Sequence, residues 1–211
     1  MKSASLAAIA TLLVSCLALT TTATASSVDF SNNGGTLSGS NAGLSLSGST
    51  LVVVKGLNGG GIITGTDLGS VQFTTGALTS GTLSAGGTFA GGGTFLITGN
   101  GTNGIPNGVL FSGTFSSSVI WTRLPPVDGT QQYVLIGGVT GTLSGVSNGG
   151  FTVQLTVDTG PQGFTGSTVI GSGNTNVSPI TSSVPEPSAL ALLVAGCLSV
   201  LGTMPRKLLL R

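Results

Sequence analysis

The sequence predicts an all-β fold, either an antiparallel β-sandwich or a meander barrel, on two observations. First, apolar and polar residues alternate with a period of two along Gly150–Asp158 and Val109–Trp121, which is typical of strands with one buried face. Second, clusters of Gly, Asn, Ser and Pro separate such stretches at the spacing of short turns. A helix would need a period of 3.6, which neither stretch shows.

Shorter strands are predicted in the first half of the chain, at Leu51–Lys55, Val71–Thr75, Ala77–Leu83 and Phe95–Thr98. Asn-Gly dipeptides are strong turn signals because both residues accept positive φ angles. They occur at Asn58, Asn100, Asn103, Asn107 and Asn148.

The second half predicts a meander of longer strands. The turn sequences Pro125–Gly129 and Ser147–Gly150 flank a central strand within Gln132–Val146. We expect three apolar faces to point into the core: Val109, Phe111, Phe115, Val119 and Trp121; Tyr133, Leu135, Val139 and Leu143; and Phe151, Val153, Leu155 and Val157.

A six-residue repeat supports a different architecture. The tripeptides Gly81-Thr82-Leu83, Gly87-Thr88-Phe89 and Gly93-Thr94-Phe95 recur at hexapeptide spacing, which would suit a short parallel β-helix. A solenoid needs sustained repetition to bury a continuous core, whereas here the period breaks after three copies. The parallel β-helix is therefore the alternative to the antiparallel fold.

The N-terminal residues 1–25 predict a secretory signal helix. Lys2 is followed by an apolar run and then by small residues up to Ala25, after which we expect cleavage. A competing motif ends at Cys16, because Leu13–Cys16 resembles the lipobox of bacterial lipoproteins.

The C-terminal residues 184–211 predict a membrane anchor. Residues 189–204 carry no charge, and as a helix they would span about 24 Å at about 1.5 Å per residue, slightly less than the ~30 Å hydrocarbon core. The basic residues Arg206, Lys207 and Arg211 follow, and they favour a cytoplasmic end. A buried C-terminal helix is the alternative.

The order Val184-Pro185-Glu186-Pro187-Ser188, apolar helix and basic cluster resembles the PEP-CTERM sorting tail of exported proteins from Gram-negative bacteria. The resemblance implies that Pro185, Glu186 and Pro187 are recognised by an exosortase, a membrane enzyme that removes or exchanges the tail. It also implies a setting of exopolysaccharide export. The triplet Leu208–Leu210 departs from the family pattern, in which the end of the tail is polar and basic. Prolines favour extended backbone, which suits a protease cleft.

Between the two ends lies one predicted domain, residues 26–183. Its sequence contains no His, Cys or Glu. The chain has no His, and Cys16, Cys197 and Glu186 all fall in the predicted signal and tail. Common general bases, thiolates and zinc ligand sets are therefore missing, and we expect no catalytic residue, metal or cofactor. A net charge of +1 argues against nucleic-acid binding.

Two features of this domain carry weaker functional hypotheses. Leu155–Gly160 resembles the Asp-Thr-Gly strand end of aspartic proteases, but those enzymes pair two aspartates and Asp158 has no second copy of the motif. We expect it to cap a turn instead. Trp121, Tyr133 and Arg123 flank one loop and could contact a sugar, although both rings also lie on predicted apolar faces, where core packing is the alternative.

The sequence thus predicts a non-enzymatic exported protein. We expect the secretion machinery to deliver it, through an inner-membrane intermediate, to the cell envelope, cell surface or extracellular matrix of a biofilm. Its expected partners are the exosortase, the membrane and exopolysaccharide. The alternatives are a carbohydrate-binding or adhesive module and, more remotely, an aspartic hydrolase.

Overall fold

The computed structural model describes residues 27–144 and 146–180. The predicted signal (1–25) and the sorting tail (184–211) lie outside the described residues. A single 3-10 turn, Leu57–Gly59, follows the third strand. The strands are β1 Val28–Asn33, β2 Thr36–Ser40, β3 Gly43–Lys55, β4 Ile62–Thr74, β5 Leu78–Thr82, β6 Gly86–Phe89, β7 Thr94–Asn100, β8 Asn107–Phe115, β9 Val119–Arg123, β10 Gln132–Leu143, β11 Val146–Asp158, β12 Ser167–Val169 and β13 Ser172–Pro179.

Eight of these strands close into an antiparallel barrel. Around the ring they follow the order β1, β3, β4, β7, β8, β10, β11 and β13, and β13 pairs with β1 to complete the circle. Ring neighbours follow one another along the chain. The barrel is therefore an up-and-down meander, the simplest way to leave no free sheet edge.

Each of the other five strands, β2, β5, β6, β9 and β12, is separated from a ring strand by only a few residues and continues in the same direction as that strand. For example, β8 and β9 both pair with β10, and β1 and β2 both pair with β3. In the same way β6 is continued by β7, β4 by β5, and β12 by β13, each after a break of a few residues. The breaks contain mainly Gly, Ser and Thr, as in Ala90–Gly93 and Ser116–Ser118. Small residues let the strands bend there without steric cost.

The all-β antiparallel prediction is confirmed, and of its two forms the meander barrel is the one found. The parallel β-helix alternative is wrong, since the strands of the described residues pair antiparallel throughout. The three tripeptides instead lie in or next to antiparallel strands. The first is at the end of β5, the second is in β6 and the third begins β7; β5 pairs with β6, whereas β7 follows β6 after a short break and pairs with β8. Hydrophobic periodicity cannot distinguish these arrangements, because both bury alternate residues.

One predicted core residue lies on the opposite face. Val109 is 55% exposed, while Leu110 and Phe111 are both buried. The register between β7 and β8 shifts here, so that Ile97 pairs with Phe111 and Thr98 with Val109. Leu110 is the extra residue of a β-bulge in β8. An extra residue moves the side chains before it to the opposite face of the sheet, so Val109 points outward.

Eight aromatic rings of the core form two groups. Trp121, Tyr133 and Phe164 pack together near β9, while a second group comprises Phe73, Phe95, Phe111, Phe115 and Phe151. Phe73 and Phe95 stack at 5.8 Å between ring centroids. Such pairs add attraction beyond the burial of apolar area.

Glycines on the inward face make room for these rings. Gly113 pairs with Phe95 on β7 and with Gly141 on β10. A Cβ atom at Gly113 would lie 2.2 Å from Val139 Cγ1 and 2.9 Å from the Thr140 carbonyl oxygen. The strands therefore approach too closely here for a side chain, and the neighbouring aromatic residues supply the volume.

We expect Gly113→Ala to lower the free energy of unfolding by about 1–3 kcal/mol, because overpacking a filled core displaces side chains and backbone. Urea denaturation measures the change. Gly61→Ala is the matched control, since a Cβ there meets no atom within 4 Å, and it should change stability by less than about 0.5 kcal/mol. Equal stability of the two variants would contradict the close strand contact at Gly113.

Candidate functional site

The two rings predicted as ligand contacts are part of the core. Trp121 on β9 and Tyr133 on β10 are each 1% exposed. Their rings stack with 4.7 Å between centroids and an interplanar angle of 5°, and Phe164 packs edge-on against both. Trp121 and Tyr133 are therefore core residues, which is the alternative that their position on apolar strand faces indicated.

The polar atoms of these rings hold the loops at this end of the barrel. Trp121 Nε1 donates a hydrogen bond of 2.9 Å to the carbonyl oxygen of Leu83. Tyr133 donates its hydroxyl hydrogen to the Ser84 carbonyl at 2.9 Å and accepts the Phe164 amide at 3.2 Å. A buried Tyr or Trp needs such partners for its polar group, and here they fix the connection between β5 and β6.

Arg123 is the exposed member of the predicted trio. Its Nε donates a 2.9 Å hydrogen bond to Gln131 Oε1, and its Nη2 donates to the same oxygen. The guanidinium thus spans the base of the loop between β9 and β10. The structure does not bring the three residues together as an exposed platform for a sugar.

Asp158 has the turn-capping position that its place after a strand predicted. Its Oδ1 accepts a 2.8 Å hydrogen bond from the Gly160 amide. Asp128 lies at the tip of the hairpin Val127–Thr130, with a φ of 48°. Residues 27–144 and 146–180 contain no group of three or more His, Cys, Asp or Glu side chains that could hold a metal ion.

A shallow groove on the outer barrel wall was not anticipated from the sequence. It has a volume of about 410 Å³ and crosses β7, β8 and β10. Gly113 and Gly141 form its floor, where two glycines face each other across the strands. Its walls carry four hydroxyl side chains and one aliphatic side chain: Thr94, Ser112, Thr114, Thr142 and Leu96.

A ladder of threonines runs beside this groove across four strands. Thr94 is directly opposite Thr114, and Thr114 is opposite Thr140. Thr74 extends the row, since its Oγ1 accepts a 3.0 Å hydrogen bond from the Thr94 amide. All four side chains are exposed. Adjacent strands lie about 4.8 Å apart, so the ladder presents hydroxyl and methyl groups at regular intervals.

The Gly-Thr-Phe tripeptides of the sequence contribute to this surface, but only the register between strands shows that they lie side by side. Gly93-Thr94-Phe95 and Gly113-Thr114-Phe115 place Phe inward and Thr outward on adjacent strands. Hydroxyl pairs also form between strands, with Ser112 Oγ 3.1 Å from Thr142 Oγ1. Only the strand pairing shows that these separate tripeptides form one row.

The residues predicted for sorting and processing lie outside the described residues, namely Ala25, Pro185, Glu186, Pro187, Arg206, Lys207 and Arg211. In the part of the chain that the structure describes, no helix is both long and apolar enough to cross a membrane. No protein-family model, curated protein or solved structure matches the chain.

Since Trp121 is the only tryptophan and is buried, we expect a blue-shifted emission spectrum that acrylamide quenches weakly. Neutral polysaccharides should leave this emission unchanged, because the stacked ring has no accessible face. Fluorescence titration measures both effects, and Trp121→Phe supplies the blank. Quenching by a polysaccharide without loss of fold would contradict the enclosed placement.

Proposed function

We propose that this chain is a non-enzymatic exported protein of the cell envelope or extracellular matrix of a Gram-negative bacterium. Its C-terminal tail is the sorting signal, read by an exosortase-type enzyme after export. The observation that carries this proposal is the order of Pro185-Glu186-Pro187, apolar segment and basic end within residues 184–211. The order specifies delivery and processing, whereas the barrel is the delivered cargo.

The barrel supports a structural or adhesive role for this cargo. Its interior is occupied by aromatic and aliphatic side chains. Its outer face carries many Ser, Thr and Asn side chains together with exposed aliphatic ones such as Ile62, Ile120 and Ile136. Six side chains of the described residues carry a charge: Asp29, Lys55, Asp67, Arg123, Asp128 and Asp158. The closed ring needs no disulfide to protect its edges, which suits persistence outside the cell.

Replacing Pro185, Glu186 and Pro187 together by alanine should block processing in the native host, because the enzyme would lose its recognition element. We expect a heavier precursor retained in the membrane fraction, measured by intact mass after cell fractionation. The control is Lys55→Ala, an exposed change at the end of β3, which should be processed normally. Wild-type mass and location for the triple variant would refute the sorting proposal.

A second candidate function is binding of a neutral polysaccharide, and the outer groove favours it. Its hydroxyl side chains can donate and accept hydrogen bonds, as the hydroxyls of a glycan require. Leu96 adds an apolar surface against which a sugar ring could pack. No ionisable side chain lines the groove among the described residues, so the ligand it suits is uncharged.

For this candidate, the double variant Ser112→Ala, Thr142→Val should weaken binding to a neutral exopolysaccharide by about tenfold. This corresponds to two lost hydrogen bonds at about 0.5–1.5 kcal/mol each. Thr152→Val, an exposed change on β11, is the matched control. Affinity chromatography on immobilised polysaccharide makes the measurement. Unaltered retention of the double variant would exclude the groove, and lack of retention of the wild type would exclude the candidate function while leaving sorting unaffected.

A further inference from the structure

The seam that closes the barrel, between β1 and β13, is joined by polar side chains on its outer face. Asn176 Nδ2 donates a 2.6 Å hydrogen bond to Asp29 Oδ1, and Asn174 Nδ2 donates a 3.1 Å bond to Ser31 Oγ. Asn176 and Asn174 are direct cross-strand partners of Asp29 and Ser31. Side-chain links thus supplement the backbone pairing where the two ends of the domain meet.

The inner face of the same seam is also polar, although it is completely buried. Asn32 and Thr175 are both 0% exposed, and Ser49 on the adjoining strand is 1% exposed. Asn32 Nδ2 donates a 2.6 Å hydrogen bond to Ser49 Oγ, which donates to the Asn33 carbonyl at 3.3 Å. Buried polar groups are normally paired in this way.

Two atoms of this inner group have no hydrogen-bond partner within residues 27–144 and 146–180. They are Asn32 Oδ1 and Thr175 Oγ1. A buried polar atom without a hydrogen bond costs about 1–3 kcal/mol, and two such atoms at one seam would oppose closure. A cost of this size at the site that completes the barrel calls for a compensating interaction.

Strand register places the two atoms on the same inner surface. Asn32 is opposite Gly173, and Phe30 is opposite Thr175. Asn32 and Thr175 are therefore diagonal neighbours, whose Cβ atoms are typically somewhat less than 7–8 Å apart. The Asn32 side chain lies over Gly173, where a Cβ would be 2.7 Å from both of its terminal atoms. Neither oxygen has a hydrogen-bond partner among the described residues, and one water bonded to both would link the diagonal pair.

From this geometry we propose that the inner seam is a binding site for one ordered water. The water donates a hydrogen to Asn32 Oδ1 and accepts the hydroxyl hydrogen of Thr175. It completes a chain of hydrogen bonds from Thr175 on β13, through Asn32 on β1, to Ser49 on β3. Buried waters commonly satisfy otherwise unpaired groups in this way. The inference is independent of the proposed sorting function.

Removing the Thr175 hydroxyl distinguishes a bridged pair from two unpaired atoms. Thr175→Val keeps the side-chain shape. If water bridges the pair, the variant removes one of its partners and leaves Asn32 Oδ1 poorly satisfied, so we expect the Tm to fall by roughly 2–4 °C. If the hydroxyl has no partner, its removal relieves a penalty and the Tm stays equal or rises, which would overturn the proposal. Thr152→Val on the outer face of β11 corrects for the effect of valine on strand stability.

A direct measurement on the wild-type protein does not depend on the variant folding. A high-resolution crystal structure should show one water within hydrogen-bond distance of Asn32 Oδ1 and Thr175 Oγ1. In solution, the Asn32 side-chain amide protons should show a nuclear Overhauser effect to a long-lived water. A direct hydrogen bond between the two side chains, or the absence of water density there, would overturn the proposal.

Discussion

The pairing of the first described strand with the last is the constraint on which the rest of this structure depends. Val28 is opposite Val177, so the two ends of the domain must meet before the ring is complete. The cysteines lie outside the described residues, and no covalent bond within the domain can bring these strands together. Closure therefore relies on backbone hydrogen bonds, the polar seam and burial of the core, and such distant pairing is expected to be slow to form.

Glycine and aromatic residues together fill the interior of the barrel: the aromatic rings supply volume, and the glycines leave space for them. A barrel of eight strands has an interior just wide enough for side chains to fill, and large rings fill it efficiently only if their neighbours are small. Gly113 and Gly137 provide that space, since a Cβ at Gly137 would lie 2.7 Å from the Phe115 ring. The glycine content, which elsewhere suggests a flexible chain, here permits close packing and bending of long strands.

A strand could be predicted from the sequence when its inward-facing residues are mostly apolar, and strands were missed where polar residues or glycine interrupt that pattern. β10 and β11 could be predicted because their inward positions are apolar almost throughout, as with Leu135 and Leu155. β1, β2, β6, β12 and β13 were missed. For β1 and β13 the reason is that their inward positions include Asn32, Gly173 and Thr175, which break the alternation of apolar residues. The groove was missed for a different reason: it depends on the register between separate strands, which a single sequence does not specify.

The low charge of the barrel limits the ways in which it can associate with other molecules if it is the cargo of the proposed sorting signal. Surfaces that attract through net charge lose affinity as salt screens them over about 8–10 Å. A wall of Thr and Ser hydroxyls has little charge to screen, and its hydrogen bonds and methyl contacts act only at short range. Each contact made by this wall should therefore be weak and insensitive to salt, and firm association should require many such contacts at once. A polymeric matrix offers many repeated binding positions of this kind. Such chemistry requires no catalytic residue, and it explains how a domain without His, Cys or Glu could still have a specific role.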